Sequence, residues 1–175
     1  MEYERLVEEA KKGETFESLK SGNVLLAMKT RFIEQPTNEH LFQFLDCLTD
    51  SLLYVPMYAT VSDEDIEMLK GMKQGDTFQF NNNVRMAPDY LQDEEGKLYI
   101  PIFSQVKQAD EEYRNNFSTV WLHISEVIEF YKNPRKELKG IILDAHTQYL
   151  ILDKELINII EDVMQYKEEQ LKNNE

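Results

Sequence analysis

Ser104 closes an apolar run, Leu98 to Phe103, in the stretch LYIPIFSQVKQADEEY. In α/β sheets, ligands settle beyond strand ends where the chain crosses to a helix. Phe103, Ser104 and Gln105, with Tyr99 nearby, therefore form one candidate binding surface. The competing use of Ser104 is local: serine is a preferred helix cap, and Gln105 to Tyr113 reads as a helix. Asp144 and His146 form a second candidate, two titratable groups at a turn that could pass a proton, with Tyr149 close by. A solvent-facing turn aspartate bonded to its own backbone explains the same residues, and is the preferred reading. His40 and Cys47 lie seven apart on one helix. Two ligands do not make a metal site, however, and cysteine buried as a small hydrophobe is the simpler account. The clusters SDEDIE, QDEEG and ADEEY lack calcium-loop spacing and read as helix caps and solvated faces.

Several chemistries lack their motifs. The six glycines are scattered and form neither GxGxxG nor a Walker-type loop, so no phosphate cradle is expected. There is no GxSxG elbow, no CxxC and no HExxH. The chain is accordingly read as not an enzyme, with no catalytic residue, no metal and no cofactor. An enzyme built from dispersed residues, Asp144, His146 and Tyr149, ranks last, because no nucleophile comes with a partner base.

The charge balance narrows the partners. There are 33 acidic residues against 19 basic, a net of −14, which repels nucleic-acid backbones and anionic membrane surfaces. It suits solubility, or a basic protein partner. One cysteine excludes an internal disulfide and fits a reducing compartment. The N-terminus lacks a signal-peptide pattern and no apolar run is long enough to span a bilayer, so a cytoplasmic location is expected.

These residues need elements to hold them. Tyr3, Leu6, Val7 and Ala10 at helical spacing predict an N-terminal helical extension over 1–22. A helix capped by Asn23 carries Val24, Leu25, Met28 and Phe32, and must stop before Pro36. Another runs from Thr37 or Asn38 through Leu41 to Leu52. LLYVPM and LYIPIF read as strands whose prolines belong at an end, a bulge or an edge. DTFQF and NVRMA read as strands joined at Asn81–Asn82, and SDEDIEMLK as a short helix capped by Ser62. STVWLHI is a strand that buries Trp121, followed by a helix capped by Ser125. GIILDAHTQYLILD predicts a β-hairpin, after which Asp153 caps a long helix with a core stripe of Leu156, Ile159, Ile160 and Val163. Residues 166–175 read as a frayed tail. The fold class is α/β (α+β): a mixed β-sheet packed against several helices, in one domain over 23–165.

The order of segments resembles the SseB family N-terminal domain. The resemblance rests on Leu53, Tyr54, Val55 and Pro56; on Ile100, Pro101, Ile102, Phe103 and Ser104; and on Gly140, Ile141, Ile142 and Leu143. It spans roughly Asn23 to Ile160. Ser104 stands where the family pattern has threonine, and Asp144-Ala145 where it has Asn-Pro. The resemblance implies a compact bacterial α/β domain with no established catalytic residues or cofactor. Its role is then an interaction or regulatory module; an acidic immunity-type protein that binds a basic toxin is the alternative.

Overall fold

A computed structural model describes residues 21–77, 79, 85–134 and 136–173 of the chain. The predicted helix around Tyr3 to Ala10 lies outside them. Helix α1 (Asn23–Glu34) ends where expected: Gln35, ahead of Pro36, has left helical geometry. Its cap is Gly22 rather than Asn23, because the Asn23 carboxamide oxygen instead accepts from Gln105 Nε2 at 2.5 Å. Helix α2 (Asn38–Asp50) is capped by Thr37, whose hydroxyl accepts from the His40 N–H. After strand β1 (Leu53–Thr60), Ser62 caps helix α3 (Asp63–Lys70) by accepting from the Asp65 N–H.

The next stretch departs from expectation. Asp76, Thr77 and Gln79 are not in a strand, and residues 78 and 80–84 lie outside the description. Strand β2 (Arg85–Pro88) does form, followed by β3 (Leu91–Gln92) and β4 (Leu98–Ile102). The helix predicted from Gln105 is reduced to a 3-10 turn, Val106–Gln108, and one helical turn, α4 (Glu111–Arg114). Gln105 and Ala109 are both extended, which breaks the helix on each side of the 3-10 turn. Strand β5 (Ser118–Leu122) leads to α5 (Ile124–Lys132), whose N-cap is His123 and not Ser125; the Glu126 carboxylate accepts from the His123 N–H at 2.9 Å. Strands β6 (Leu138–Leu143) and β7 (Leu150–Asp153) form the predicted hairpin. Asp153 then accepts from the Leu156 N–H at the start of α6 (Lys154–Asn173). That helix runs on to Asn173, into the segment expected to fray, and Lys167 ties it to Asp46 and Asp50 of α2.

The strands make two sheets. One, β2-β1-β5, is antiparallel; the other, β3-β4-β6-β7, has β4 parallel to β6 at its centre. The pair Tyr54 and Phe103 joins them by exchanging two backbone hydrogen bonds of 2.9 Å. Both strand prolines lie in the interior of their strands, yet each escapes the ladder penalty locally. Beside Pro56 the β1–β2 pairing has just ended at Met57, and its carbonyl accepts from the Asp89 N–H. Beside Pro101, β3 has run out, since it pairs only with Leu98 and Tyr99.

Side chains of β1, β4, β6, β7 and α6 meet in one interior. Leu53, Val55, Ile100, Ile102, Ile141, Leu143, Leu152, Ile157 and Ile160 share it with Leu25, Phe44, Leu45 and Leu48 of α1 and α2. Each fully buried aliphatic side chain contributes about 1.5–3 kcal/mol, so this shared interior positions every other feature. Two details are corrected. The α6 stripe uses Ile157 where Ile159 was expected, and Ile159 is 39% exposed. Trp121 is 40% exposed, because strand alternation turns it away from its core-facing neighbours Val120 and Leu122 and onto the face of Tyr54.

Cys47 sits in this interior beside Ser51. Burial, outweighing the Ser51 hydrogen bond, pushes its thiol up to about 11. A thiol raised in this way stays protonated at neutral pH, and only the thiolate attacks disulfides. At pH 8 it should hold roughly 200-fold less thiolate than an ordinary cysteine of pKa about 8.5. Reaction with an aromatic disulfide reagent is therefore expected to be slow in the folded protein and to accelerate more than a hundredfold in denaturant. Equal rates would show Cys47 to be accessible.

Candidate functional site

The end of β4, the β6–β7 turn and α1 converge on Asp144. Its φ of 55° is left-handed, a geometry that aspartate tolerates better than most residues, and it is held by its own N–H donating to the Ile102 carbonyl at 2.8 Å. The carboxylate points inward and has no exposed surface. Its Oδ1 accepts from the Ser104 N–H at 2.7 Å, and the Ser104 hydroxyl lies 3.0 Å from Oδ1 and 2.9 Å from Oδ2. Lys29 of α1, also fully buried, donates to Oδ2 at 2.5 Å and to the Gln148 carbonyl at 2.6 Å. Ser104 therefore does not cap a helix, and Asp144 is not a solvent-facing turn residue. Both belong to one buried cluster, in which Ser104 hydrogen-bonds to the Lys29–Asp144 ion pair.

These residue types could in principle activate a nucleophile, with serine, carboxylate and amine in one place. Here they are bonded to one another and to the Gln148 carbonyl, and Ser104, Asp144 and Lys29 have no surface from which to meet a substrate. What the arrangement does is mechanical: it clamps a helix, a strand end and a hairpin turn together. Gln105 extends the clamp by donating to the Ser21 carbonyl at 2.9 Å as well as to Asn23. Lys29 was missed in the sequence, although a signal existed. It falls four residues after Leu25, on the face of α1 that enters the core.

The other predicted residues are dispersed around this clamp. Phe103 is fully buried, while Tyr99 lies towards the start of β4, where its hydroxyl donates to Asp93 at 3.2 Å. His146 packs its ring 5.3 Å from Phe103 and 4.7 Å from Tyr113, and its Nδ1 accepts from the Asp110 N–H at 3.0 Å. Tyr149 is exposed, so Asp144, His146 and Tyr149 do not converge. His40 and Cys47 are about 10 Å apart along the axis of α2, since seven residues rise 1.5 Å each. The His40 Nδ1 donates instead to the Gln35 carbonyl at 2.7 Å. Among the described residues no group of three or more histidine, cysteine or acidic side chains could hold a metal.

A second cluster lies on the outer face of the β2-β1-β5 sheet. The Tyr54 ring stands 5.8 Å from Phe103 and 6.2 Å from Trp121, and Tyr113 stands 6.2 Å from Phe103. The Tyr113 hydroxyl donates to Asp89 at 2.8 Å, and burial together with that bond raises its pKa. Burial also raises the Tyr54 phenol, opposed by the Arg114 guanidinium. By register Tyr58 shares this face with Trp121, and it too is partly exposed.

Two sheets bridged at Tyr54–Phe103, an apolar core shared with the helices, and a buried polar clamp define a small α+β domain. The family model for the SseB protein N-terminal domain matches residues 27–158, from within α1 into α6, and the chain belongs to that family. No curated protein and no solved structure matches it. Among the described residues no helix is long and apolar enough to cross a membrane.

Proposed function

We propose that this SseB-family chain is a non-enzymatic interaction module of the bacterial cytoplasm, regulating or assembling with a protein partner. The observation that carries this reading is the half-exposed Trp121 on the outer sheet face, with Tyr58 on the same face. Tryptophan and tyrosine are favoured where partner proteins bind, because they supply large rigid contact area. The closed state of the Lys29–Ser104–Asp144 cluster supports the same reading, since the chain's most reactive combination of side chains is occupied with itself.

The net charge of −14 adds a second version, in which the partner is basic and arrives along the protein's field, as an immunity-type protein would meet a toxin. Photo-crosslinking in native cells tests the main reading. Benzoylphenylalanine at position 121 should yield a discrete adduct that is absent when it is placed at exposed position 139. A basic toxin in that adduct would favour the immunity version. Equal smears, or no adduct at either position, would overturn the interaction reading.

A further inference from the structure

Strand β5 has a free edge. It pairs with β1 on one side, and no described strand pairs with it on the other. Which of its backbone groups face outwards follows from β1. Tyr54 exchanges both of its backbone hydrogen bonds with Phe103, and the Pro56 carbonyl accepts from the Asp89 N–H. Both residues thus turn their backbone away from β5. Their partners across the ladder, Trp121 and Thr119, must turn theirs away from β1. Among the described residues nothing bonds to these outward groups. The open stretch ends on each side within the chain itself: the Arg114 carbonyl takes the Phe117 N–H, and the Glu126 carboxylate takes the His123 N–H.

Edge strands invite pairing with another chain unless they are short, charged, interrupted by proline or covered. The other edges here are blunted in these ways. Strand β2 carries Arg85 and Pro88, β3 is two residues long, and β7 ends on Asp153. Strand β5 has neither charge nor proline. Residues 115–125 around it include no acid, lysine or arginine, in a chain of net charge −14. Trp121 stands on this edge, 40% exposed.

We propose that β5 pairs antiparallel with β5 of a second copy of this chain, about a two-fold axis through Val120. This rests on the interaction reading above and names its partner. In that register Thr119 faces the partner's Trp121, and Trp121 faces the partner's Thr119. Every outward N–H then meets an outward carbonyl. The pattern is its own complement, as a two-fold interface requires. Two three-stranded sheets become one of six strands. The axis is normal to the sheet, so both tryptophan rings stay on the outer face. They are diagonal neighbours about 7–8 Å apart, within reach of each other. A second copy fits better than a charged partner, because residues 115–125 offer no charge to pair with and two neutral edges oppose no like charges. The negative charge carried elsewhere is screened beyond about 8 Å at physiological salt.

Sedimentation equilibrium of the full chain tests the proposal. The mass should rise from that of one chain towards that of two as the concentration approaches ~100 µM. The Thr119 and Trp121 amides have no acceptor within their own chain, so they should exchange at least about tenfold more slowly in the dimer than in dilute solution. Thr119→Pro removes an N–H that β1 does not use, and should leave a folded single chain at every concentration. Trp121→Glu sets like charges diagonally across the axis and should do the same. Ile151→Glu, on the β7 edge, should leave the dimer in place. A single-chain mass throughout would overturn the proposal, as would a dimer that Ile151→Glu dissociates and the two β5 variants do not. A crosslink from position 121 to a different protein would also overturn it while leaving the interaction reading intact. A single-chain mass with no adduct at position 121 would remove both.

Discussion

Asp144→Ala is expected to cost about 3–5 kcal/mol, the range seen when one member of a buried ion pair is removed. The loss has three sources. Lys29 is left in a site with no exposed surface and without its carboxylate partner. The Ser104 N–H and hydroxyl lose their acceptor. Alanine must also hold a φ of 55° that aspartate accepts more readily. Against a total stability of about 5–15 kcal/mol, such a variant would be partly unfolded under mild conditions. Urea unfolding should show a lower midpoint at unchanged slope. Asp144→Asn should fall between the two, because an amide oxygen can still accept from Ser104 while leaving Lys29 unpaired. Adding Lys29→Met to it should recover most of the loss, since an uncharged pair of similar shape avoids the cost of burying two ions. A loss under about 1 kcal/mol for Asp144→Ala would mean that the pair is solvated, as surface pairs are.

What could be read from the sequence follows the range of the interactions. The hairpin 138–153 and the Asp153 cap were legible because both are set by neighbours in the chain: period-two alternation, then a side chain reaching three residues on. Ser104 was misread because its local chemistry, helix capping, competes with a partner 40 residues away. Lys29 and Asp144 are 115 residues apart, and nothing in either local pattern encodes the other. Trp121 shows a different failure. Its apolar neighbours suggested a buried residue, yet in a strand the residues on either side of a position face the opposite way.

Gly22→Ala is the second large effect, with an expected loss of about 2–5 kcal/mol from a left-handed backbone and a steric clash together. Gly22 has φ 72°, and a Cβ there would sit 1.8 Å from the Ser104 carbonyl oxygen and 2.8 Å from its carbon. These are backbone atoms, so relief requires moving the chain instead of rotating a side chain. The piece that would move is the one whose N–H and hydroxyl hold Asp144, and Gln105 next to it anchors Ser21 and Asn23. The damage should therefore reach the ion pair through α1, visible as faster amide hydrogen exchange in both α1 and the β6–β7 turn. Gly71→Ala is the internal control. That glycine is in right-handed helical geometry, and its added Cβ would meet only ordinary contact at 3.6 Å, so stability should hold or rise by about 0.4–1 kcal/mol. If the two variants unfolded alike, residues 21–23 would not be pressed against Ser104, and the clamp would lose the contact that fixes where α1 delivers Lys29.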